Sequence, residues 1–155
     1  MAITSAICNS FKQEILVEGH NFTNGTDAFK IALYSSNSAT LSKSTTAYTA
    51  PADGTADPTN TYEVTSTSSG YTTGGNALTS TTPVLSGDTA CCKFADTSWG
   101  SSASFTARGC LIYNSTNANK AVCAINFGAD KTVTSGTFTI QFPAQTAGNA
   151  IIQIA

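Results

Sequence analysis

Charge is scarce in this chain. Only sixteen of its 155 residues are ionised at neutral pH, seven of them basic and nine acidic, where an average soluble domain carries roughly a quarter. The Lys and Arg residues form neither a run nor a stripe. That excludes nucleic acid as a partner, because phosphate binding draws its affinity from clustered cations that release counterions. A polybasic membrane-surface site is excluded for the same reason. No segment approaches the roughly 18 consecutive apolar residues of a spanning helix. The start, Met1-Ala2-Ile3-Thr4-Ser5-Ala6-Ile7-Cys8, has neither a basic stretch nor an apolar run of signal-peptide length. The expectation is synthesis in a cytoplasm, with no membrane partner. The Asn-X-Thr sequons at Asn21, Asn24 and Asn114 are then chance products of a Thr-rich composition.

Catalytic signals are equally thin. His20 is the single histidine. A catalytic base needs a nucleophile and an orienting group beside it, and no Gly-X-Ser-X-Gly motif accompanies it, so His20 reads as structural or solvent-facing. The carboxylates are isolated in sequence, although a glycosidase pair can assemble in space. Gly70-Tyr71-Thr72-Thr73-Gly74-Gly75 lacks the following helix and the Lys of a phosphate-binding loop and reads as a turn. Five cysteines, Cys8, Cys91, Cys92, Cys110 and Cys123, fit neither a zinc spacing nor a thioredoxin motif. Buried free thiols are the favoured reading, with one late disulfide or a metal site as alternatives. The residues call for no cofactor and no metal, and the chain reads as no enzyme.

What replaces charge is hydroxyl. Ser and Thr together number 44. Thr suits a pleated surface, since its branched Cβ packs against cross-strand neighbours while its hydroxyl faces water. Leu, Ile, Val and Phe total 29, about a fifth of the chain. That is near the border with disorder, but a net charge of -2 favours a compact fold with a modest core. The length fits one domain over 1–155, with residues 1–18 as an arm plus a short helix.

Ser10-Phe11-Lys12-Gln13 offers an N-cap and a capping box, and Gly19 can close the helix that follows. Beyond it the signals have period two. In Ala28–Tyr34, Phe29, Ile31 and Leu33 share one face, with Lys30 and Tyr34 on the other. Residues 35–60 read as a long surface loop, functional or ordered by a partner. Strands are expected at 62–65, 76–83, 90–95, 104–113, 121–127 and 137–142, and the chain ends on the apolar run 150–155. Gly109 marks a bulge or close approach, and 104–127 forms a hairpin. Phe138, Ile140 and Phe142 point inward. The fold class is all-β: an antiparallel β-sandwich or barrel, jelly-roll-like, with one short N-terminal helix.

Two single-copy residues stand out. Trp99, in the turn-rich Asp96-Thr97-Ser98-Trp99-Gly100, either anchors an interface or caps the core. Arg108, the sole arginine, either meets a carboxylate on a neighbouring strand or subunit or faces outward from its strand.

The ordered series Cys8-Asn9-Ser10-Phe11-Lys12, His20-Asn21-Phe22, Phe29–Tyr34, Gly70–Gly75, Thr106-Ala107-Arg108-Gly109, Ile112-Tyr113-Asn114, Phe127-Gly128, Asp130-Lys131 and Phe138–Pro143 resembles a group of small virion structural proteins of tailed bacteriophages, including phages of cyanobacteria and marine bacteria. The resemblance covers nearly the whole chain, although 48–62 is longer than the pattern. It implies a capsid decoration, or cement, protein: a small β-domain, often a homotrimer, bound to the major capsid protein lattice on the virion surface after shell expansion. It is made in the cytoplasm of the host bacterium. The arm and helix, with Ile3, Ile7, Phe11 and Lys12, then become candidate capsid or subunit contacts, together with Trp99 and Arg108. The rival within phage biology is a tail, neck or fibre component that binds host glycans. A carbohydrate-active enzyme or lectin-like domain is the rival from another class.

Overall fold

Two strands set the architecture, and both are much longer than the sequence pattern predicts. The computed structural model describes residues 2–35, 40–49, 62–65 and 70–155. Within them β1 (Ala6–Ile7) leads into α1 (Asn9–Glu14) and a 3₁₀ turn (Ile15–Val17). Then come β2 (Phe29–Tyr34), β3 (Asn76–Leu78), β4 (Val84–Ser86), β5 (Thr89–Cys92), β6 (Thr97–Asn114), β7 (Lys120–Ile140) and β8 (Ile152–Ile154). A five-stranded antiparallel sheet has the order β1-β7-β6-β2-β3, and a three-stranded one the order β4-β5-β8. The result is the all-β, sandwich-like fold with one short N-terminal helix that the periodicity predicts.

The expected hairpin is present, but β7 does not stop at Phe127. It continues through Phe138 to Ile140, still paired with β6 as far as Thr97↔Ile140. The gaps between the expected strands are absorbed as bulges. Between Trp99↔Phe138 and Ala103↔Gly136 the extra residues lie on β6; between Ala107↔Lys131 and Gly109↔Asn126 they lie on β7. The second bulge uses Gly128 at φ 78°. Bulges bend a ladder and raise its twist. Ile125 and Phe138 would stand roughly 40 Å apart on a straight strand at ~3.3 Å per residue. Here they line one groove, so the hairpin curls back on itself.

β2 is covered on both faces. Phe29, Ile31 and Leu33 are buried as the alternation predicts, but so are Ala32 and Tyr34. Tyr34 therefore does not face solvent. Register explains why. Ile31, Ile112 and Cys123 form one row across the sheet, and Ala32, Leu111 and Ala124 form a row on the opposite face. Phe29 stacks on Phe22 with ring centres 4.5 Å apart and meets Phe94 at 5.4 Å, joining the two sheets in one apolar cluster. On the other face Tyr48 stacks on Tyr113 at 4.4 Å. A second aromatic group of Tyr71, Trp99, Phe105 and Phe138 fills the far end of the hairpin.

Two local expectations change. The helix starts at Asn9 behind Cys8, with no side-chain cap, and among the described residues Ser10 Oγ has no hydrogen-bond partner. The orphan N–H of Asn9 is satisfied instead by the Lys43 carbonyl at 2.8 Å, and Cys8 N–H donates to Val122 O at 3.0 Å; tertiary carbonyls replace the capping box. At the other end Glu18, not Gly19, takes the left-handed conformation, at φ 58°, while Gly19 N–H donates to Glu14 O at 2.7 Å. The long loop read over 35–60 lies partly outside the described residues. Its described part, 40–49, is anchored by fully buried Leu41, by buried Tyr48 and by the Ala47↔Lys120 bridge. The paired-glycine turn forms as expected, with Gly75 at φ 72° and so close to the Ile31 carbonyl that a Cβ would overlap it.

Candidate functional site

The fold gathers two polar clusters that sequence separation hides. The first joins the end of α1 to the β6–β7 turn. His20 is buried, between Glu14 Oε2 at 2.9 Å on Nε2 and Asn114 Nδ2 at 3.2 Å on Nδ1. Asn114 Oδ1 accepts the N–H groups of Thr116 at 3.1 Å and Asn117 at 3.2 Å, so its Nδ2 must be the donor to His20. Nδ1 therefore accepts, and the imidazole proton sits on Nε2, donated to Glu14. Asn114 Nδ2 also donates to Asp27 Oδ2 at 2.7 Å, and Lys120 Nζ lies 3.7 Å from Glu14 Oε1. The sequence reading gave this histidine no visible partners; the helix end supplies Glu14 from six residues away, and the end of β6 supplies Asn114 from 94 residues away. Both ring nitrogens are occupied within the chain, so the group acts as a clip that pins the helix to the hairpin.

The second cluster surrounds Glu63. Its carboxylate accepts Tyr71 Oη–H at 2.8 Å, Tyr48 Oη–H at 2.9 Å and Gly74 N–H at 2.6 Å. Tyr71 Oη in turn accepts the Leu33 N–H at 3.0 Å, and Tyr113 Oη–H donates to Gly74 O at 2.8 Å. Burial pushes the Glu63 carboxyl above the usual range, and the three hydrogen bonds offset only part of that. The same burial, with the carboxylate close by, drives the Tyr71 and Tyr48 hydroxyls upward. Neutral tyrosines holding one buried acid make a knot where β2, the 40–49 segment and the 70–75 turn meet. The sequence signal was available only as an acid next to a Tyr, in Tyr62-Glu63.

All five cysteines are free and buried. Burial, then Glu14, raises the Cys8 thiol to about 11, and burial raises Cys92 to about 12. Such thiols stay protonated and unreactive. Among the described residues no three His, Cys, Asp or Glu side chains gather into a metal-binding group.

The proposed contact residues separate. Ile3, Phe11 and Trp99 are buried in the chain's own core and are core residues here, not surface anchors. Ile3 packs against Gly109, where a Cβ would collide with its side chain and with Ile125 O. Phe11 lies 4.8 Å from the His20 ring. Trp99 stacks among Tyr71, Phe105 and Phe138, and its indole N–H has no hydrogen-bond partner among the described residues. Ile7 is half-buried and Lys12 exposed. Arg108 is half-buried and meets the Asp130 carboxylate across the sheet at 3.5 Å.

Three surface features escaped the sequence reading. Leu16 and Val17 project from the 3₁₀ turn at 84% and 70% exposure. On the three-stranded sheet Leu85, Ala90 and Ile154 stand in one cross-strand row, with Leu85 75% and Ile154 55% exposed. Two residues further along the same face, Cys92 and Ile152 are buried in the core, so the inner face of this sheet overhangs as an apolar ledge. Finally, a groove of about 470 Å³ runs along the concave face of the hairpin, walled by Ile125, Phe127, Phe138, Ile140 and Ile151 with Lys131 among its lining residues. No family model, curated protein or solved structure matches the chain.

Proposed function

We propose that this protein is a non-enzymatic structural component of a tailed-phage virion, a capsid decoration protein that binds the major capsid protein lattice and stabilises the expanded head. The observation that carries the reading is the apolar ledge of Leu85, Ala90 and Ile154 on a surface rich in hydroxyls. Large apolar side chains left in water beside the core mark a surface made to be covered. Neutral Ser and Thr around them cost less to desolvate than charges. The polar clusters agree with this reading, since His20 and Glu63 spend their hydrogen-bonding capacity inside the chain. The mechanism is passive. Each bound copy stabilises the expanded state by mass action, about 2.7 kcal/mol when its free concentration is a hundred times its dissociation constant.

Quantitative mass spectrometry of intact particles tests the reading. Tens to hundreds of copies, retained on tail-less heads, are expected. A dozen copies or fewer, confined to tail fractions, would replace it with the tail, neck or fibre alternative. Hydrolysis of a cell-surface polysaccharide would overturn the non-enzymatic assignment.

A further inference from the structure

We infer that copies of this chain associate head to tail, the Leu16-Val17-Glu18 turn of one copy entering the β7 groove of the next. The turn offers two strongly exposed aliphatic side chains followed by a carboxylate. The groove offers five half-buried apolar walls and one exposed ammonium, Lys131. Among the described residues neither Glu18 nor Lys131 takes part in an ion pair within the chain. One side therefore supplies an apolar plug with a negative charge beside it, and the other an apolar socket with a positive charge beside it. The volume equals that of roughly fifteen waters, and filling it with aliphatic side chains removes that water from apolar walls.

A chain cannot fill its own socket this way. The plug sits beside the β6–β7 turn, where Asn117 Nδ2–H donates to Gly19 O at 2.7 Å and Lys120 meets Glu14. The groove lies further along the hairpin and reaches the far end of β7, at Phe138 to Phe142. Plug and socket are different patches, so the contact is heterologous and builds a ring where the rotation closes. A net charge of only -2 leaves little repulsion between copies. This contact does not rest on capsid decoration. An intact oligomer that ignores phage heads would sink the decoration reading alone, and a monomer that still coats heads would sink the self-contact alone.

Light scattering of the purified protein at micromolar concentration reads the result. The wild type should show a discrete mass that is a multiple of 15.9 kDa. Leu16→Asp with Val17→Asp should weaken association ~100-fold or more, since two aliphatic anchors become charged. These side chains are exposed in the monomer, so circular dichroism should be unchanged. Glu18→Lys and Lys131→Glu should each weaken association several-fold by placing like charges together, and the double variant should restore it. A wild-type monomer, an oligomer indifferent to the plug substitutions, or a charge swap that fails to restore association overturns the proposal.

Discussion

Glu63 is a carboxylic acid buried in the fold. Its carboxyl is raised mainly by burial, so the folded chain holds that proton more tightly than the unfolded chain does. The contribution to stability is full below the ordinary carboxylate value of about 4.3 and is lost as pH rises through the elevated folded value. Glu63→Gln removes the titration while its oxygen still accepts from Tyr71 and Gly74. The Tyr48 hydroxyl can turn to accept from the new amide. Urea unfolding across the range from about pH 4 to pH 8 should therefore show a wild-type curve that falls relative to the variant; parallel curves would refute the assignment. Asn114 carries a different load. It is fully buried and bonded to His20, Asp27, Thr116 and Asn117. Asn114→Ala leaves buried His20 and half-buried Asp27 and Asn117 without this partner, at ~1–3 kcal/mol for the buried group and less for the others, so a loss of about 2–4 kcal/mol is expected in chemical denaturation.

At the scale of elements, what was legible depended on whether a signal was local. The alternation in Phe29–Tyr34 and Phe138–Phe142 reports side-chain faces directly, and the structure keeps those faces. The extra cover over Tyr34 comes from residues far away in sequence, which period two cannot encode. Ser10 is not a cap because the helix starts at Asn9, which places Ser10 inside its first turn. The bulge or close approach read at Gly109 is present, but sequence does not separate the roles of glycines: Gly109 and Gly128 look alike there and do different work. A Cβ on Gly109 meets Ile125 O at 2.5 Å and Ile3 Cδ1 at 2.9 Å. One on Gly128 meets nothing, and only its φ of 78° is unfavourable. Gly109→Ala should lose about 2–3 kcal/mol through overpacking, and Gly128→Ala about 1 kcal/mol through backbone strain. Comparing urea midpoints of the two variants checks the order; a larger loss at Gly128 would mean that the bulge, not the close approach, sets the curl of the hairpin. The polar clusters were illegible for a related reason. Glu14 and His20 are only six residues apart, but Asn114 joins them from 94 residues away, and no spacing rule links it to them.

For the whole molecule the question is which parts of a surface with so little charge offer strong contacts. Hydroxyl-rich strands hydrate well and offer few bulky apolar contacts. Among the described residues the strongly exposed aliphatic groups stand out as sources of adhesion, and the fold places them apart. Leu16 and Val17 sit at the helix end, and Leu85 and Ile154 on the smaller sheet. If the ledge is the lattice contact, Leu85→Asp with Ile154→Asp should abolish binding to expanded heads. Burying each aliphatic side chain contributes roughly 1.5–3 kcal/mol, and a buried unpaired carboxylate adds a further penalty. The same substitutions should leave thermal stability within about 0.5 kcal/mol, because exposed positions away from the packed core tolerate change. Co-sedimentation with undecorated heads, alongside a melting curve, separates the two effects. Loss of binding with an unchanged melting curve supports the ledge. Retained binding would move the lattice contact elsewhere on the surface, and loss of both would show that the ledge belongs to the core instead.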